Sequence, residues 1–592
     1  MKLIARIKGR LEGLQSAIGR YPLSTAFLLA ATVLMAVIIH SDHQYSVEYF
    51  TLLTGALLAA CMQGLQERFF HLMGQRLIMM GITVIILIPY YLWLRTIVLG
   101  SSRLYIIGIV VLFALWLLYI LIPALGSSVG FNESFNQAFK ATFLAFLFSM
   151  VLFLGITMIL VALNRLLVSV DPDMYAHIGN ILFTLFAPLL YLSRTPSKDG
   201  AGMQTDMGQQ YRVASEPLRF WEVLLSYIII PLVAVFTFIL LTYILLNTRG
   251  EFWTNNLMEP LLVAYSAMGL LVLFLAGRIN NAFARAYINI FPKVLIPVVL
   301  FQLIASAMII PEVGLTYGRY FVLFYGIFAV AAGILGSIFL ERKNHWIAGL
   351  LVVCMLISVI PPLDAFSVSG RSQAKRLTQY LTKNDMLVDG KIVPPVASVS
   401  KKDRRIITET MKELNYGGWL GKIDYLPAGY EHFRDFDHTF GFQPYYGQVP
   451  QEEWTYISRI PGGHLDITDY DILIGSVQLD ASNPAAANVR EFTVEGMAYH
   501  IEWKNDQPGQ PLVLLDSSGN SLVEVKIPAL LEHLDQVYRD NKEMILSDLL
   551  YLTETDDGAL GILPTEGHMN RGSKGSEFSI NMDIYIRIGP PK

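Results

Sequence analysis

The chain has 592 residues, 54% of them hydrophobic and 16% charged, with a mean hydropathy of +0.47 and a formal net charge of −4. That is too apolar for a soluble multidomain protein and too charged for a chain embedded in a membrane throughout. The two tendencies are segregated: residues 1–362 carry 22 Lys/Arg and 15 Asp/Glu, a net of +7, whereas residues 363–592 carry 22 and 33, a net of −11.

The first 21 residues place Leu3, Ile4, Ile7, Leu11, Leu14 and Ile18 at helical spacing with basic residues between them, which reads as an amphipathic segment lying on a surface. No small-x-small cleavage site follows, so the first apolar run is expected to stay as a span. A helix rising about 1.5 Å per residue needs roughly 20 apolar residues to cross a bilayer. By that test about eleven spans are expected, near 22–40, 49–65, 78–98, 104–124, 140–162, 178–193, 223–246, 258–277, 290–310, 320–340 and 345–362. The fold class implied is a polytopic all-α transmembrane bundle over 22–362, followed by a soluble α+β domain with a mainly antiparallel sheet over 363–592.

Lys and Arg are retained in short cytoplasmic loops. With the N-terminus inside, the inner segments hold 17 basic residues, among them Arg20, Arg68, Arg76, Arg194, Arg278 and Lys343, and the outer ones hold Arg95, Arg103, Arg165, Arg249 and Arg319. That bias agrees with an odd number of spans and puts residues 363–592 outside the cytoplasm. Cys61 and Cys354 both lie in apolar runs, so no disulfide or cysteine-ligated zinc staples the acidic region. A cysteine-free exported domain suits a bacterial plasma membrane and its envelope.

Acidic residues of the first half fall in loops or at span ends, as Glu222, Glu259 and Glu312 do, and the span interiors offer only mild polarity: Thr54, Thr142, Ser149, Thr184, Ser226, Thr237, Ser266, Ser306 and Gln302. Coupled carriers bury charge at mid-span, so this pattern disfavours a transporter. Pro188, Pro231 and Pro297 fall within spans and are expected to loosen them. GSSVG at 126–130 has no strand before it and is not a nucleophile elbow. No Walker loop, H-E-x-x-H or C-x-x-C occurs, so no cofactor is indicated.

Beyond Pro361-Pro362 the text changes. Ala374, Leu377, Tyr380 and Leu381 share a helical face, MLVDGKIV carries a hairpin Asp-Gly, and 400–418 opens on a Ser400 cap and stops at Gly417-Gly418. Strands are expected over 467–479, 490–503 and 577–588, a hairpin over 512–527 and a helix over 528–540. In the last strand Phe578, Ile580, Met582, Ile584, Ile586 and Ile588 alternate with polar residues, predicting one buried and one wet face.

Two groups of residues can carry chemistry. The stretch 431–447 gathers Glu431, His432, Asp435, Asp437 and His438 beside six aromatics, residue types that bind a divalent metal or share general acid/base work, or that simply form a solvated acidic surface. Asp42 and Glu48 are the only acids of the first outer loop, HSDHQYSVE.

The runs 162–193 and 218–247, together with PPLDAFSVSGRSQAKRL, NDMLVDGKIVP and SKKDRRII, resemble the bacterial domain-of-unknown-function 4153 family, in its Gram-positive form. The resemblance implies a polytopic plasma-membrane protein and brings no site residues. Three functions are weighed: a non-enzymatic envelope protein that senses, binds or scaffolds through its outer domain; an envelope glycosyl- or lipid-linked transferase using Asp42 and Glu48; and a transporter. The partners expected are the lipid bilayer and an envelope ligand or membrane-protein partner. Nucleic acid is disfavoured, because the outer domain is acidic.

Overall fold

The computed structural model describes residues 13–41, 45–69, 73–97, 102–125, 129–167, 170–196, 207–216, 219–247, 259–395, 398–427, 429–445, 454–458, 465, 467–481, 490–494, 496–504, 507, 509–539, 549–570 and 578–590. The chain packs as two units, Met1–Tyr445 and Tyr446–Lys592.

The first unit is helical. Residues 13–20 are helical. Then come α1 (Pro22–Ile39), α2 (Ser46–Phe69), α3 (Met73–Leu94), α4 (Ser102–Leu121), α5 (Phe131–Leu166), α6 (Asp173–Ser193), α7 (Arg219–Leu246), α8 (Glu259–Ala276), α9 (Ala282–Val313), α10 (Tyr317–Phe339) and α11 (Asn344–Val359). Every expected span is a helix, but among the described residues eight helices are long and apolar enough to cross a membrane. The exceptions to the expected eleven have physical reasons. α2 mixes Thr51, Thr54, Gln63 and Gln66 into its apolar stretch and bears Glu48, Glu67 and Arg68 at its ends, while the apolar stretches of α8 (Pro260–Ala276) and α11 (Asn344–Val359) are shorter than those of the eight.

Proline explains two local departures from α geometry. Wide π turns occupy Ile181–Phe186 in α6 and Leu224–Ile229 in α7, and Pro188 and Pro231 follow them closely. A proline has no N–H to give to the preceding turn and its ring crowds that carbonyl, so the ladder widens there. α9 instead runs through Pro292, Pro297 and Pro311 without a described break.

The helices are threaded end to end. Arg103, at the start of α4, lies 3.6 Å from Asp364, whereas Tyr119, near its close, has its phenol 2.9 Å from that of Tyr21. Twenty residues of helix separate those ends by about 30 Å. Tyr21 and Asp364 therefore stand at opposite ends of the bundle.

Asp364 starts α12 (Ala365–Lys383), its carboxylate accepting from Phe366 and Ser367 N–H. The expected domain boundary at 363 marks the end of apolar sequence, and α12 packs within the same unit as the bundle. Ser372 accepts the Leu315 N–H at 3.2 Å, Gln373 and Arg376 donate to the Val313 carbonyl, and Phe366 stacks on Tyr317. The Asp389-Gly390 hairpin forms as β1 (Leu387–Val388) and β2 (Lys391–Ile392). Then α13 (Lys401–Tyr416) is capped by Ser400 and ends before Gly417, as its sequence predicts. α14 (His432–Phe440) closes the unit and ends on the left-handed Gly441.

The second unit is built of antiparallel sheets. One orders β3 (Trp454–Ser458), β10 (Gly558–Asn570), β11 (Phe578–Ile588) and β4 (Ile472–Asp480), with β9 (Tyr551–Thr555) also on β10. The other is a meander of β5 (Arg490–Val494), β6 (Met497–Trp503), β7 (Pro511–Asp516) and β8 (Ser521–Lys526), continued by helix α15 (Ile527–Arg539). Apolar residues of both sheets and α15 share one core. Residues 490–503, expected as one strand, are a hairpin, because Gly496 takes a positive φ of 83° and turns the chain. The alternation in β11 buries Phe578 through Ile586 as predicted, but its other face is not wet throughout. Tyr585 and Arg587 are also buried, with Arg587 donating to Glu554 at 3.2 Å and Tyr585 against Tyr470.

Candidate ligand cavity and polar ends of the bundle

The residues singled out by sequence divide along α14. His432, Phe436 and Phe440 are buried on its inner face, the His432 ring edge-on to Phe436 with centroids 5.7 Å apart. Burial lowers the His432 pKa below its ordinary value. Asp435 accepts the Glu431 N–H at 2.8 Å, a helix-capping contact, while Glu431 and His438 are exposed. Asp437 supplies the carbonyl that receives the Gly441 N–H. Among the described residues no group of three or more His, Cys, Asp or Glu is placed to hold a metal ion. Of the other pair, Glu48 accepts from the Tyr91 phenol at 3.1 Å, and Asp42 lies outside the described residues.

The structure assembles residues that the sequence did not single out. At the end of the bundle that bears Asp364, His40 and His177 approach with their Nε2 atoms 2.8 Å apart, and His40 Nδ1 is 3.2 Å from Asp173. At the opposite end, Arg20 grips Glu67 through two nitrogens at 2.9 and 2.7 Å and donates to the carbonyls of Thr195 and Pro196. The Tyr119 phenol joins that clasp through Tyr21 and Thr195. Arg76 donates to the carbonyls of Gly19 and Arg20, both at 2.8 Å. Gln137 donates to the Arg194 carbonyl.

Above this clasp lies a cavity of about 390 Å³, within the range of small-molecule sites. α1, α2, α4, α5 and α6 wall it. Small side chains make the space: Ala56 and Ala60 on α2, Ala145 on α5 and Ala187 on α6, with Trp116, Phe146 and Phe183 completing apolar walls. The π turn of α6 contributes Phe183, and Pro188 stands beside it. Polarity is confined to Ser24, Thr142 and Tyr191. Thr142 spends its hydroxyl on the Ala138 carbonyl; Ser24 is 1% exposed and its hydroxyl has no partner among the described residues. The readable signal for the cavity was the small-xxx-small spacing of Gly55, Ala56, Ala59 and Ala60 in α2, a pattern that lets helices approach closely.

Apolar helices of spanning length, polar side chains gathered at two opposite ends and an apolar interior define a multi-pass membrane protein. The model of the family described as "Domain of unknown function (DUF4153)" matches residues 25–397, more than half of the chain, and the chain belongs to that family. No curated protein and no solved structure matches it.

Proposed function

We propose that this is a multi-pass protein of the bacterial plasma membrane that works by binding, holding a membrane-soluble ligand within its helices. The observation that carries the reading is the alanine-lined cavity, an apolar space walled by five helices. In the same reading all eleven helices cross the bilayer, the N-terminus is cytoplasmic, and residues 363–592 face the envelope, where they are free to meet an outer ligand or partner. Two independent features support that orientation: the excess of Lys and Arg on the Arg20 side, and the emergence of Asp364 at the end opposite Tyr21.

Trp116 lines the cavity, so a hydrocarbon chain entering it would touch the indole. The test is quenching of full-length protein in mild detergent by phospholipid brominated on one acyl chain, with Trp116→Phe subtracted to isolate that indole among the eight tryptophans. Binding gives a saturable Trp116 component that cavity-filling substitutions remove. Quenching that rises linearly with lipid, unaffected by those substitutions, overturns it.

A further inference from the structure

We infer that the ligand is one acyl chain of an anionic phospholipid, drawn from the leaflet on the Arg20 side, with an oxygen of its phosphate held by Ser24 and Arg76. The inference rests on the binding reading above and adds the chemical class and the polarity of the ligand.

The cavity has one chemically distinct end. Ser24 lies two residues into α1, next to the Arg20 clasp, and it lines both the cavity and a small neighbouring recess of about 10 Å³ bounded also by Tyr21, Gln63, Arg76 and Thr83. A buried hydroxyl without a partner carries the full cost of its lost hydration, which a ligand oxygen would offset. Arg76 supplies the charge. Its Nη2 donates to two carbonyls, its Nε has no partner among the described residues, and it meets no carboxylate there, because Glu67 is engaged by Arg20. A cation bonded only to neutral carbonyls keeps its positive charge uncompensated, and a planar guanidinium suits a phosphate oxygen.

Size sets the geometry. The recess has room for about one water, so it admits a single ligand oxygen and leaves the rest of the head outside the bundle. The cavity accepts a flexible chain, because its walls beyond Ser24 are almost wholly hydrocarbon. Residues of five helices of a membrane protein line it, and the bilayer supplies chains at high local concentration.

The experiment compares brominated phosphatidylglycerol with brominated phosphatidylcholine by Trp116 quenching, in wild type, Ala145→Phe, Ala187→Leu, Arg76→Gln and Ser24→Val, each checked for monodispersity and unchanged melting. The expected result is saturable quenching with phosphatidylglycerol favoured. Arg76→Gln should weaken phosphatidylglycerol by about tenfold, the loss of one charge-assisted hydrogen bond, and phosphatidylcholine less, because the choline cation already offsets part of the charge on its phosphate, so the preference narrows. Ser24→Val should weaken both to a similar, smaller extent. Ala145→Phe and Ala187→Leu come from different helices, so a folding defect in one leaves the other as the test, and either should abolish saturation. Equal affinity for the two lipids, or a preference that Arg76→Gln does not narrow, overturns the head-group assignment while the binding reading stands. Saturable quenching that both filling variants leave intact, or none at all, overturns the two together.

Discussion

Arg103 and Asp364 form an ion pair at 3.6 Å between the first turn of α4 and the residue that caps α12, with both side chains almost fully withdrawn from solvent. The pair holds a bundle helix against the segment that follows the last apolar helix. Its Asp364 oxygen is shared with two backbone N–H groups, so the carboxylate orders the start of α12 and neutralises the guanidinium at once.

Removing one partner leaves the other charge buried without compensation, which costs about 3–5 kcal/mol, whereas replacing both by apolar groups is far milder. Arg103→Met alone should lower the melting temperature of the detergent-solubilised protein sharply. Arg103→Met combined with Asp364→Asn, which keeps a capping oxygen, should recover much of the loss. Equal melting of the single and double variants would show that the pair is not coupled.

Close approach between α8 and α9 depends on Gly269. A Cβ built there would stand 1.9 Å from the Phe291 ring, and the Tyr287 phenol donates to the Gly269 carbonyl at 2.9 Å. Gly269→Ala should destabilise by about 1–3 kcal/mol through overpacking. Adding Phe291→Leu should relieve most of this, as read from melting of the single and double variants.

His432 makes the first unit sensitive to acid. Burial lowers its pKa below the ordinary 6.5, so below that pH the unfolded chain takes up a proton that the folded chain refuses. Stability therefore falls as pH drops through 6.5 and stops falling from this source once the folded imidazole is itself protonated. In melting curves recorded from pH 8 to pH 5, His432→Phe should show a shallower decline than wild type. Parallel declines would assign the acid sensitivity to other groups.

The orientation of the bundle can be read chemically. Lys391 is exposed on the β1–β2 hairpin. With Cys61 and Cys354 replaced by alanine, Lys391→Cys should react in intact cells with a membrane-impermeant maleimide. Labelling only after permeabilisation would place the hairpin in the cytoplasm and require an even number of crossings.

The parts of the fold legible in sequence are those governed by local pattern. Long apolar runs gave the spanning helices, Ser400 and Gly417 bracketed α13, and strict alternation gave β11. Residues 490–503 misled because Gly496 sits in an otherwise strand-like run, and a single glycine reads equally as a bulge or a turn. The dry second face near Tyr585 and Arg587 was hidden because its cover comes from Tyr470 and Glu554, distant in sequence. The same holds for the polar ends: Arg20 meets Glu67, and His40 meets Asp173 and His177, through pairings that only the packed bundle specifies. Acidic and imidazole residues adjacent in sequence at 431–438 were the more visible cluster, yet helical geometry sends His432 inward with the phenylalanines and leaves Glu431 and His438 exposed.

The contacts of α12 with the loop around Gly314 bear on how events beyond the bundle are felt within it. Ser372, Gln373 and Arg376 hold the Val313 carbonyl and the Leu315 N–H, and Gly314, with φ of 75°, has the Gln373 amide where a Cβ would go. The joint between α9 and α10 is thus clamped by side chains from a helix that follows both. A tilt of α12 cannot be absorbed at that joint without breaking these bonds, so α12 acts on α9 and α10 as a lever fixed to their common hinge.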